Sequence, residues 1–260
     1  MRAKLNFFLE LLRRELTIFR RGYIGEATDT VIMFFNFIVV FGYFIPMGGQ
    51  GVNWGPFMMV GSIATFGLVS AVNNRVAQVI SDVHGDRTIS YFLTMPVPSS
   101  WVFISMALCW STVLAILTLI LFPVGKLVLF SQFSLASVSW GKLFLIYITL
   151  NIFIGFFSLW LAGAFQKINN IGRLWCRVVN PLFMFGAFFY SFKDALTFNP
   201  LIAKLTLINP VVYVTEGMRA AMLGQEGSLN FWLCLTVLWG YILLCGWHGI
   251  ARLKKWLDVV

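Results

Sequence analysis

Long apolar runs separated by short polar stretches dominate this chain. They fall at residues 30–46, 56–74, 101–123, 143–165, 178–192 and 229–251, and most approach the roughly twenty residues an α-helix needs to cross a bilayer. The pattern predicts an all-α integral membrane protein, with six transmembrane helices in a single domain over residues 1–260. Upstream, Leu5, Phe8, Leu9, Leu12, Leu16 and Phe19 recur at steps of three and four, which places them in one stripe of a helix. Arg13, Arg14, Arg20 and Arg21 lie mostly off that stripe. Residues 4–20 therefore read as an N-terminal amphipathic interfacial helix lying along the membrane; a helix packed on another protein would carry the same stripe. The first run starts too far into the chain, with too poor a cleavage site behind it, to be a signal peptide. The fifth run is short, and the segment behind it carries Pro200 and Pro210 in a stretch too hydrophobic for an ordinary loop. Residues 196–224 are expected to dip back into the bilayer as an external re-entrant segment, because irregular backbone at that depth needs shielding by protein or a water-filled cavity.

Composition strengthens the membrane reading. Only 11% of residues are charged and 59% are hydrophobic, against roughly 25% charged in soluble domains. The net charge of +9 sits beside the hydrophobic runs and not in a separate basic domain, so the partner it suits is the anionic lipid surface and not nucleic acid. With the amino terminus inside, Arg2, Lys4, Arg13, Arg14, Arg20, Arg21, Arg75, Arg87, Lys167, Arg173, Arg177, Arg252, Lys254 and Lys255 fall on the cytoplasmic side. Lys126, Lys142, Lys193, Lys204 and Arg219 fall on the other. That bias places both termini in the cytoplasm.

Candidate chemistry is sparse. The four cysteines show neither paired spacing nor a zinc-site pattern, and His84 and His248 read as boundary residues. No GxxxxGK[ST] loop is present, so ATP would have to be handled by a partner. The chain lacks a convergent nucleophile, base or metal cluster, which argues against an enzyme acting on lipid. Glu26 and Asp29 are expected to sit at the start of the first span, where negative charge suits a helix amino terminus. Within residues 81–95, Ile89, Phe92 and Leu93 recur at helical spacing ahead of Pro96, with Asp86, Arg87 and Ser90 facing elsewhere. This predicts a short amphipathic helix that docks on a soluble protein or rests on the membrane.

Three stretches carry a family resemblance: GDRTISYFLTMPVPSS from residue 85, GAFQKINNIGRLWCRVVNPLFMFGAFFYS at 163–191, and INPVVYVTEGMRAAMLG at 208–224. Together with the six-span pattern they resemble the type-2 ABC exporter permeases, the membrane subunits of ABC transporters. The most specific piece is Asn209, Pro210, Tyr213, Glu216 and Arg219. The run Asp82, His84, Gly85, Asp86, Arg87, Thr88 is a looser version of the family's acidic-arginine pattern. The resemblance implies a multi-pass bacterial inner-membrane protein that binds no cofactor itself. It would pair with a second permease subunit, expected to be identical, above a dimer of cytoplasmic ABC ATPase subunits that hold ATP and Mg. Asp86, Arg87, Ile89, Phe92, Leu93 and Pro96 would form the coupling helix, inserted into the ATPase.

Glu216 and Arg219, three apart on a helix, can pair, and with Asn209, Pro210 and Tyr213 they are expected to clamp an external gate. Phe34, Phe37, Phe185, Phe188 and Tyr190 are candidate substrate-lining residues. They suit export of an amphipathic, lipid-linked or drug-like molecule, with polysaccharide or glycolipid export open within the same family. A secondary transporter or channel working without an ATPase is the competing reading, weakened by the scarcity of ionisable groups in the middle of the spans.

Overall fold

The computed structural model describes residues 2–45, 54–85, 87–165 and 171–257, and no strand occurs among them. Helix α1 runs Arg2–Val39 and continues without a break through a π-helical turn, Val40–Phe44. The expected separation between an interfacial helix at 4–20 and a first span from residue 30 is therefore absent. Gly22 and Gly25 lie between them, but a glycine costs a helix only about 1 kcal/mol relative to alanine, and no proline blocks the hydrogen-bond ladder. Packing compensates, since Phe19 and Ala27 bury against Val113 and Leu117. The amphipathic stripe has the chain itself as its apolar partner: Leu11 and Phe19 are buried, Phe8, Leu12 and Leu16 half-buried, and Leu5 and Leu9 exposed. Glu26 and Asp29, expected at a helix start, lie in the interior of α1.

In chain order there follow α2 (Trp54–Ala71), a π turn (Val72–Val76), α3 (Ala77–His84) and the short α4 (Thr88–Leu93). Next come α5 (Ser99–Leu119), α6 (Leu121–Leu129) and α7 (Trp140–Ala164). Pro123 sits in the first turn of α6, where its missing N–H is tolerated. Among the described residues, five helical stretches are long and apolar enough to cross a bilayer: Arg2–Phe44, Trp54–Val83, Ser99–Leu129, Trp140–Ala164 and Phe231–Leu257, the last being α13.

The fifth apolar run supplies no sixth unbroken helix of that length among the described residues. It forms α8 (Ile171–Leu174), a π turn (Trp175–Val179) and α9 (Asn180–Met184), then leaves the helix at 185–191. The described helical path from Ile171 to Met184 rises about 21 Å at 1.5 Å per residue. Pro181 contributes: it cannot donate to the carbonyl one turn back, and the π turn accommodates the defect. The segment at 196–224 is not a loop. It consists of α10 (Phe192–Phe198), α11 (Pro200–Thr206) and α12 (Pro210–Met222). Asn199 and Asn209 cap the last two, each followed by proline at the first helical position, where proline's fixed φ is favourable. Helix α12 is buried along its whole length, whereas Phe198, Leu201, Leu205 and Ile208 project outward.

Both termini meet at one end of the bundle. Trp101 Nε1 donates to the Lys4 carbonyl, and Lys254 donates to the Ser100 hydroxyl. The tightest crossings are made through glycines. A Cβ on Gly155 of α7 would lie 2.4 Å from the Ala107 carbonyl oxygen of α5, and one on Gly249 of α13 would lie 2.9 Å from the backbone of Trp160. Small residues at such crossings let helices approach closely in a membrane, where packing has to replace the hydrophobic drive. Gly155→Ala should therefore cost about 1–3 kcal/mol through overpacking. Gly141→Ala, at a site with nothing within 4 Å, should stay within about 0.5 kcal/mol of the parent. Thermal unfolding of the two purified variants in detergent reads the difference, and equal midpoints would show that the α5–α7 approach is not tight.

Candidate functional site

At the end of the bundle away from the termini, α9 stops and leaves carbonyls without intrahelical partners. Helix α12 takes them up. Asn209 Nδ2 donates to the Leu182 carbonyl at 2.8 Å, and Thr215 donates to the Gly186 carbonyl at 2.7 Å. Arg219 then reaches three more: Nη1 donates to the carbonyls of Ala187 and Tyr190, and Nη2 to that of Phe188 at 2.8 Å. Ala187 adopts φ 55°, a left-handed conformation that costs a non-glycine residue roughly 1–2 kcal/mol.

Glu216, fully buried, completes the arrangement. Its Oε1 accepts from Arg219 Nη1 at 3.2 Å and from the Phe192 amide at 3.1 Å, while Oε2 accepts from the Leu229 amide at 3.0 Å. The Arg219 guanidinium also lies 3.5 Å over the Phe57 ring of α2, which adds a cation–π attraction. Burial draws Arg219 down to about 10, with Glu216 opposing the shift; that value leaves it charged at neutral pH. Tyr213 donates to the Leu207 carbonyl and closes the turn before Pro210. The five residues read from the sequence as an external clamp all lie on α12 or its cap, with Glu216 and Arg219 bonded to each other. The clamp's other half, the backbone of 182–190 and the face of Phe57, could not be read from spacing because those partners are distant in the chain.

The aromatic residues are placed differently from the substrate-lining expectation. Phe34 and Phe188 are wholly buried, and Phe37 meets Phe66 and Phe188 edge-on at centroid distances of 5.5 Å. These rings fill the junction of α1, α2 and the 185–191 segment. Tyr190 is half-buried beside them. Phe185 alone faces an open groove, which runs from Arg177 to Asn209 along α9 and α11.

At the opposite end, Asp82 of α3 organises the segment around α4. Its two carboxylate oxygens accept from the Thr88 and Ile89 amides at 3.0 and 2.9 Å, capping α4 across a left-handed Arg87 with φ 53°. Ile89 is buried, Phe92 packs edge-on against Phe7 of α1, and the Arg14 guanidinium lies 5.1 Å over the Phe92 ring. Leu93 is half-buried as well. The apolar stripe expected to enter a partner therefore faces the chain's own α1 and α5. Arg87, Ser90, Tyr91, Thr94 and Pro96 point outward; Asp86 lies outside the described residues.

Two ionic contacts near this end were not anticipated. Arg75, only 6% exposed, comes within 3.7 Å of Glu26, and Glu15 pairs with Arg14 at 3.5 Å. His248 accepts a hydrogen bond from Trp160 Nε1 at 2.7 Å, so it joins α7 to α13. Comparison of the chain with family models finds no match, and comparison with curated proteins finds none either.

The clamp makes a testable energetic claim. Arg219→Met leaves Glu216 charged and uncompensated in a buried site, a loss of roughly 3–5 kcal/mol. Adding Glu216→Gln removes that charge and should recover part of the loss. If thermal unfolding finds the double variant no more stable than Arg219→Met, the two side chains are not energetically coupled.

Proposed function

We propose that this chain is the membrane-spanning permease subunit of an ATP-driven exporter of the type-2 ABC kind, working as a pair of copies above a soluble ATPase dimer that binds ATP and Mg. The observation that carries the reading is α4: a short exposed helix between the second and third long helices, held from behind and presenting a polar outer face with an exposed tyrosine. Tyr91 is 60% exposed, and tyrosine and arginine are the residues on which interface energy concentrates. Because Ile89 and Phe92 lock α4 to α1 and α5, a force applied at Tyr91 and Arg87 is delivered to two long helices at once. A partner that grips α4 differently in its ATP-bound and ATP-free states then has the differential contact that a ligand-driven change requires.

Other features agree with this assignment. Five long apolar helices place the chain in a membrane, and the excess of lysine and arginine on one side orients the shared end of the termini towards the cytoplasm. The outward apolar side chains of α1, Ile32, Phe35, Val40 and Phe44, suit lipid or a second copy. The substrate class on this reading is an amphipathic, lipid-linked or drug-like molecule, which could travel along the apolar groove beside Phe185; a glycolipid or polysaccharide carrier would use the same route.

Two measurements test the proposal. Single cysteines at positions 20, 225 and 254, in a chain freed of native cysteines, should react with an impermeant reagent in intact cells only at 225; labelling of 254 from outside would reverse the orientation. Arg87→Glu combined with Tyr91→Asp should cut copurification of a soluble ATPase at least tenfold, about 1.4 kcal/mol, while insertion persists. Phe92→Asp should instead lower the yield of folded protein, since that side chain packs inward. Undiminished ATPase recovery with the Arg87/Tyr91 variant would sink the assignment of α4.

A further inference from the structure

A cavity of about 360 Å³ lies between α1, α3, α4 and α5, roughly twelve waters' worth at ~30 Å³ each. One side is apolar, with Met106 and Trp110 of α5; the other holds Glu15, Asp82 and Arg14. The two carboxylates are not equivalent. Both oxygens of Asp82 are engaged by the α4 amides. Glu15 has a side chain only 7% exposed; its Oε1 makes a loose contact with Arg14 at 3.5 Å, and its Oε2 is buried with no hydrogen-bond partner. A buried acceptor left unmet carries its full desolvation penalty.

What the wall lacks is therefore a donor, and a charged donor best meets a carboxylate away from bulk water. The mouth already accommodates one cation of this kind, because the Arg14 guanidinium stacks on Phe92. Trp110 offers a further aromatic wall suited to a cation. A bare metal ion would find one free carboxylate where calcium takes six to eight oxygen ligands. We propose that this cavity binds a small organic ammonium ion, its charged head paired with Glu15 and its apolar body lying against Met106 and Trp110. The proposal is independent of the exporter assignment. Once bound, the ligand joins α1, α4 and α5 and stiffens the mounting of α4.

Among the described residues, Arg14, Arg75, Cys109 of α5 and Asp82 of α3 are the titratable groups around the Glu15 carboxyl. Protonation removes the charge the ammonium pairs with. Affinity therefore falls as the pH drops far enough to protonate Glu15.

The test uses the purified full-length chain in non-ionic detergent and benzylamine as probe, read by ligand-observed saturation-transfer NMR, with benzyl alcohol as the neutral isostere. Expected are saturable benzylamine binding, at least tenfold weaker binding in Glu15→Gln, and no change in Glu10→Gln, which removes an exposed charge from the same helix. Ser81→Trp, which fills the cavity without touching Glu15, should abolish the signal. Equal affinity in Glu15→Gln, equal affinity for benzyl alcohol, or no saturable binding overturns the proposal. Repeating the titration in bilayer discs distinguishes the source of the natural ammonium group. Competition by phosphatidylethanolamine but not phosphatidylglycerol assigns it to a lipid headgroup, and equal binding in both assigns it to a soluble amine.

Discussion

The half of the structure away from the termini closes around one guanidinium. A buried arginine is tolerated where its charge is paired and most of its donors are used. Arg219 does this through Nη1 and Nη2, with Glu216, three backbone carbonyls and the face of Phe57, leaving only Nε without a hydrogen bond. Each partner is thereby fixed in place. The 185–191 segment cannot resume a helix while its carbonyls point at Arg219. The start of α10 and the residues before α13 are tied to the same carboxylate through the Phe192 and Leu229 amides. The break in the fifth apolar run is thus stabilised by side chains from α12, which supply the hydrogen bonds that a continuous helix would have supplied to itself.

A second constraint concerns the vertical register of α2. Its interior offers little polar surface by which to hold position beyond the buried Ser62 and Thr65: 83% of the apolar window of Trp54–Val83 is buried, and sliding one mostly apolar helix past others is opposed chiefly by packing. Charges at its two ends supply the missing specificity. Phe57 lies under Arg219 and Arg75 beside Glu26, eighteen positions apart, or about 27 Å at 1.5 Å per residue. That separation is close to the ~30 Å of a hydrocarbon core. The two ion pairs therefore bracket the apolar layer and set how α1, α2 and α12 align across it.

Much of this was legible in the sequence and some was not, for physical reasons. The apolar runs gave the long helices because the bilayer imposes a length. Glu216 and Arg219 could be paired because a helix brings positions three apart onto one face, and the Asn–Pro pairs announce helix starts by their own local chemistry. The carbonyl partners of Arg219 were hidden because main-chain groups look alike at every residue. Amphipathicity states that one face is covered and never by what; hence Phe92 was expected to face a partner and instead faces Phe7, and the stripe of residues 4–20 was expected to face lipid and instead faces α5. Phe34 and Phe188 were expected to line a path because phenylalanine suits lipid, ligand and core equally well.

The continuity of α1 joins the two ends of the molecule mechanically. Phe7 touches Phe92 of α4, and Phe37, thirty positions on, touches Phe188, about 45 Å away along one helix. Phe188 in turn packs on Phe66, and its carbonyl is held by Arg219. A chain of contacts alone does not transmit a signal; something along it must have two arrangements. The place best suited is 185–191, where a non-glycine residue is held at positive φ and three carbonyls share one side chain. Strain of that kind persists only while its partners over-determine it. A rotation of α1 that withdraws Phe37 from Phe188 removes one of those partners, so the clamp is the element with most to lose from motion that begins at α4.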